Sequence, residues 1–133
     1  MTDATFTLTL LPEQYAICRL APDAPVPAWV PSSGEFVSLS RTRNELSIVC
    51  NQASLPVDIA AAQVGRGRRC LRIEGPFDLS VVGVLATISA ALAEADIAIF
   101  VVSTYDTDYV LLREADLDAA IRALTARGHP VVS

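Results

Sequence analysis

The alternation of apolar and polar positions is clearest in the second half of the chain. Cys70 to Glu74 reads as a strand that closes at Gly75-Pro76. From Ser80 the apolar residues fall at Val81, Val84, Leu85, Ile88 and Leu92, the spacing of one helix face. Ala86, Ala90, Ala91 and Ala93 fill the remaining positions with strong helix formers, and Asp78 or Ser80 stands where an N-cap belongs. Ile97 to Thr104 is β-branched and aromatic, hence a strand, and Asp106-Thr107 turns the chain into a second strand from Asp108 to Arg113. Glu114 or Asp116 opens a second helix with Leu117, Ala120, Ile121 and Leu124 on one face. Gly128 followed by Pro130 ends it, and Val131-Val132 is a short last strand. The order is β-α-β-β-α-β, an α+β, ferredoxin-like split unit. Both faces of Ile97–Thr104 are apolar, whereas the two helices cover only one. The second face is therefore expected to lie under the N-terminal half or another subunit.

The first half carries a fainter copy of this plan. "SRTRNELSIV" from Ser40 and "STYDTDYVLL" from Ser103 share a Ser, a polar turn, an acid five residues on (Glu45, Asp108) and then strand residues. "RLAPDAPVPAWV" from Arg19 aligns with "IEGPFDLSVVGVL" around their Pro and Asp residues. Pro22, Pro25, Pro27 and Pro31 occupy the span of the first helix, which reduces it to a turn at most. Pro56 to Val64 leaves room only for a short second helix. The reading is two tandem units, residues 1–68 and 69–133, the first with shortened helices, plus an extra strand at Phe6–Leu11.

Composition narrows the function. With 133 residues, 52% hydrophobic and 19% charged, the chain is able to build a core. A net charge of −5 weighs against a general nucleic-acid binder or a protein of anionic membranes. All ten basic residues are Arg, so Schiff-base chemistry, pyridoxal phosphate attachment and the P-loop lysine are ruled out. The single histidine, His129, allows no His-rich zinc site, and a Ser-His-Asp triad would have to use it. The apolar stretch Leu79–Ala93 is interrupted and falls short of the ~20 residues of a spanning helix. Met1, Thr2 and Asp3 do not resemble a leader, and Cys18, Cys50 and Cys70 sit apart inside apolar runs like free thiols of a reducing compartment. The expectation is a cytoplasmic binding protein without cofactor.

"DLSVVGVLATISAALAEADIAIFVVST" resembles the first half of an ACT domain, the small-molecule-binding regulatory module of amino-acid metabolism. "STYDTDYVLLREADLDAAIRAL" is similar to the ACT subfamily of the animal arginine sensor CASTOR and of short bacterial ACT pairs, and to the regulatory tail of aspartate kinases. The likeness is specific over about forty residues of the C-terminal half; the N-terminal half matches in its order of elements. One departure is Asp96, where such domains commonly have Gly; Asp tolerates a left-handed backbone. The resemblance implies a homodimer, an amino-acid ligand at a unit or subunit interface, and a partner enzyme as a further possibility.

The candidate site combines the loop Phe77, Asp78, Leu79, Ser80, Val81 and Val82 with Thr104, Tyr105, Asp106 and Asp108 of the hairpin. A helix N-terminus offers unpaired N–H groups to an α-carboxylate, and a nearby Asp offers a partner to an ammonium. The resemblance implies that these two segments line one pocket. The plainer reading is a capped helix beside a hairpin whose Asp residues hydrogen-bond the turn. Asp106 and Asp108 lack the loop of a Ca²⁺ or Mg²⁺ site, so no metal is expected. His129 reads as a helix C-terminal cap, favoured by the dipole. Arg66, Arg68, Arg69 and Arg72 read as a solvated loop entering a strand, and Gly65-Arg66-Gly67 lacks the rest of a dinucleotide fingerprint. Trp29 reads as core over the shortened helix or as a subunit contact. Behind the sensor reading stand two others: a structural partner subunit with a vestigial pocket, and a small enzyme using Asp78, Asp106 or Asp108 as base.

Overall fold

The computed structural model describes residues 4–30, 34–60, 63–77 and 82–133. They form two compact units: a helical unit of Met1–Pro12 with Arg69–Ser133, and an inserted unit of Glu13–Arg68. Strand β5 (Val64–Ile73) carries the chain from the inserted unit back into the helical one.

In the helical unit, β1 (Leu8–Leu10) is followed by the last part of β5, then α1 (Val84–Glu94), β6 (Phe100–Ser103), β7 (Asp108–Arg113), α2 (Leu117–Ala126) and β8 (Val131–Val132). The strand order is β6-β7-β5-β1-β8. This is the expected α+β split unit with the N-terminal strand inserted between its first and last strands. Leu8 pairs antiparallel with Ile73 and parallel with Val131. The residues up to Pro12, read from sequence as part of a 1–68 unit, thus pack with the C-terminal segment. Leu71 and Ile73, like Val110 and Leu112, alternate onto the face that meets Ile88, Leu92 and Leu124, all of them buried. The opposite face of the β6–β7 pair carries Phe100 against Leu111 and Val102 against Tyr109; Leu111 is buried and Phe100 exposed.

Both helices end in one way. Asp96 (φ 60°) and Gly128 (φ 85°) take the left-handed position after their helix. Asp96 N–H donates to Ala93 O and Ile97 N–H to Leu92 O; Gly128 N–H donates to Thr125 O and His129 N–H to Leu124 O. Each is the paired closure of a Schellman motif. Since Ile97 N–H is used there, β6 begins at Phe100 rather than at Ile97. The start of α1 also differs from expectation. Its N-cap is Gly83 at φ 87°, so neither Asp78 nor Ser80 holds that position. A 3-10 turn, Glu114–Asp116, precedes α2.

The charged-cap reading of His129 is corrected. Its side chain is buried, and Nδ1 accepts the backbone N–H of Phe6 at 3.0 Å. Burial, and then the Arg127 charge, hold its pKa below the ordinary histidine value.

The inserted unit is an antiparallel sheet in the order β3-β4-β2-β5, with β2 at Tyr15–Leu20, β3 at Ser38–Arg41 and β4 at Leu46–Asn51. The β3–β4 hairpin turns where the repeat placed it: Thr42 N–H donates to Glu45 O, and Thr42 Oγ1 accepts from Asn44 N and Glu45 N. Helical structure among its described residues is limited to short 3-10 turns such as Gln52–Ser54, as the prolines require. Ala16, Cys18, Ile48 and Cys50 form its core, with Trp29 packed against them. Cys18, Cys50 and Cys70 are buried, and none of them is in a disulfide.

Candidate ligand site

The chain leaving β5 passes very close to the β6–β7 turn at Gly75. A Cβ at Gly75 would lie 3.1 Å from Asp106 O, so this crossing leaves little room for a side chain. Phe77 N–H donates to Asp106 O at 2.8 Å, and the Thr107 hydroxyl donates to Ile73 O at 2.6 Å. These two bonds pin the hairpin to the chain leaving β5. Within the turn, Thr104 N–H and hydroxyl both donate to Thr107 O, at 2.8 and 3.0 Å. Across the opening pair of the hairpin the Ser103 hydroxyl donates to the Asp108 carboxylate. Ser, Thr and Asp thus do local turn work, as these side chains commonly do.

An open cavity of about 280 Å³ lies beside this turn. Its walls are Phe77, the first turn of α1 from Gly83 to Ala86, and the hairpin from Ser103 to Asp108. Phe77 is steadied by an edge-on contact with Phe6, with ring centroids 6.0 Å apart. The first backbone N–H groups of a helix have no partner inside it, and Gly83 has no side chain with which to cap them. The described walls therefore combine the partly positive start of α1 with the two acidic residues Asp106 and Asp108, and include no basic side chain.

Five of the ten residues expected from sequence come together here: Phe77, Thr104, Tyr105, Asp106 and Asp108. Val82 is 89% exposed and is not among the described walls. Asp78, Leu79, Ser80 and Val81 lie outside the described residues. Sequence reasoning missed Gly83, Val84, Leu85, Ala86, Ser103 and Thr107. The usable signal was Gly83, which interrupts the apolar run where a helix entry without side-chain cap would stand. Among the described residues no group of three or more His, Cys, Asp or Glu is placed to hold a metal ion, and no helix is long and apolar enough to cross a membrane.

Residues 63–126 match the model of the ACT domain, and residues 13–58 match a separate family model of an N-terminal domain. The crystal structure of protein Atu0741 from Agrobacterium tumefaciens is 36% identical, covers 98% of this chain and 94% of its own, and superposes with a TM-score of 0.88. Residues 63–126 of this chain belong to the ACT domain family. The human cytosolic arginine sensor for mTORC1 subunit 1 is 32% identical over 108 residues, which is 77% of this chain and 33% of the sensor. The chain thus spans about a third of the length of the curated relatives it matches. The ligand-free regulatory subunit of aspartate kinase from Thermus thermophilus shares the fold, with a TM-score of 0.64 at 17% identity over 95% of this chain and 100% of its own. This ACT chain therefore resembles one protein named for arginine sensing and another named as a regulatory subunit.

Proposed function

We propose that this ACT protein is a non-catalytic regulator that binds an amino acid in the cavity between the first turn of α1 and the β6–β7 hairpin. The carrying observation is that the first turn of α1, with its unpaired N–H groups, and the acidic residues Asp106 and Asp108 line one small space. A zwitterion fits that polarity, with its α-carboxylate at the helix and its ammonium at the hairpin. Phe77 and Tyr105 supply further contacts.

The names of the relatives, an arginine sensor and a kinase regulatory subunit, support a regulatory role in the cytoplasm. A homodimer whose second copy closes the open side of the cavity completes the reading. Ligand binding then biases the packing of one copy on another and is passed to a partner enzyme. That coupling is limited to the ligand's differential affinity for the two states.

A thermal-shift screen against the twenty amino acids at millimolar concentration tests the proposal. A ligand at ~100 times its Kd adds ~2.7 kcal/mol and raises the melting point by several degrees. The expected result is a selective shift that Asp108→Ala abolishes. The absence of a shift with all twenty would leave a partner subunit with a vestigial pocket as the better account.

A further inference from the structure

The only histidine of the chain is not among the described walls of the cavity just described. His129 is 2% exposed. Because its Nδ1 accepts the Phe6 N–H, that nitrogen carries no proton, and the neutral ring holds its proton on Nε2. Among the described residues Nε2–H has no hydrogen-bond partner. The donor opens instead on the solvent of the cavity that His129 lines, where a bound acceptor would meet it.

His129 lines an open cavity of about 470 Å³ with Ala4, Thr87, Ala90 and Arg127. Arg127 pairs with Glu94 through Nη2, which leaves other N–H donors on its guanidinium. The Glu94 side chain is 72% exposed, so exchanging this partner for another anion costs little. The Thr87 hydroxyl is turned back to Gly83 O. The described walls hence present a guanidinium and an imidazole N–H, and no carboxylate.

We propose that this cavity is a second ligand site that takes a small oxyanion, a carboxylate or a phosphate, between His129 Nε2–H and the Arg127 guanidinium. Such an anion accepts from Nε2–H and offsets the positive charge of Arg127 beside it, in a charge-assisted hydrogen bond. It shares no described wall residue with the first cavity, and the proposal does not rest on amino-acid binding there.

A single histidine makes the test clean, because its imidazole resonances report this cavity alone. Inorganic phosphate and, separately, acetate are titrated into the protein at constant ionic strength and followed by NMR. The expected result is a saturable shift of the His129 resonances, weakened about tenfold or more by Arg127→Gln. Saturation with phosphate alone identifies a phosphate site; saturation with acetate as well identifies a general oxyanion site. Glu94→Gln, which releases Arg127 from its carboxylate, is expected to tighten binding. A drift that never saturates, a response unchanged in Arg127→Gln, or weaker binding in Glu94→Gln would overturn the proposal.

Discussion

Asp96 shows how one side chain records a backbone requirement. At φ 60° it closes the Schellman motif after α1 in the position that Gly128 takes after α2. A left-handed conformation costs most L-residues about 1–2 kcal/mol, less for Asp. Asp96→Val is thus expected to destabilise the protein by about 1–2 kcal/mol in urea unfolding. Asp96→Gly removes the strain but adds unfolded-chain entropy of about 0.4–1 kcal/mol, so its net change should stay within about 1 kcal/mol. This turn was legible in the sequence because Asp is one of the few residues that enter it. His129 was not legible: Gly128-His129-Pro130 reads locally as a helix end, and its partner Phe6 is 123 residues away. Its folded pKa lies below the ordinary 6.5. As pH falls through 6.5 the unfolded chain takes up this proton first and the folded chain does not, so stability drops. Below the folded pKa the contribution levels off. Unfolding midpoints measured between pH 7.5 and 5 should therefore decline with acid, and His129→Gln should flatten the upper part of that decline.

At the scale of elements, periodicity located each helix and strand of the C-terminal half but misplaced several ends. The apolar spacing from Val81 to Leu92 does not register that Gly83 takes a left-handed φ, so α1 starts at Val84. Likewise Ile97 looks like strand by composition, yet its N–H closes the preceding helix. In the inserted unit the prolines were a reliable negative signal, and the Ser-turn-acid pattern found the β3–β4 hairpin. The close crossing of Gly75 over the β6–β7 turn was invisible, because only the fold brings Asp106 to it. Gly75→Ala is expected to strain this crossing and weaken the Phe77–Asp106 hydrogen bond, at a loss of roughly 1–3 kcal/mol by the scale of overpacking. Hydrogen exchange at the Phe77 amide should then accelerate, and amides within α2 should keep their protection.

For the whole molecule, the β-α-β-β-α-β order and its ACT character were readable, whereas the route of the chain was not. Leu8 pairs with Ile73 and Val131, partners too distant in sequence for any local pattern to announce. The pocket shares this property: the polarity of the two segments could be read from the sequence, but the cavity exists only once α1 and the hairpin stand side by side. In the proposed complex one ligand meets the helix with a carboxylate and the hairpin with an ammonium. The most direct measurement is calorimetric titration of the amino acid that gives the thermal shift, beside its N-acetyl derivative, into wild-type protein and Asp108→Asn. The account predicts that acetylation weakens wild-type binding at least about tenfold, as loss of a charge-assisted bond does, and weakens the already reduced binding of Asp108→Asn far less. Equal affinity of both compounds for the wild type, or the same acetylation penalty in Asp108→Asn, would contradict it.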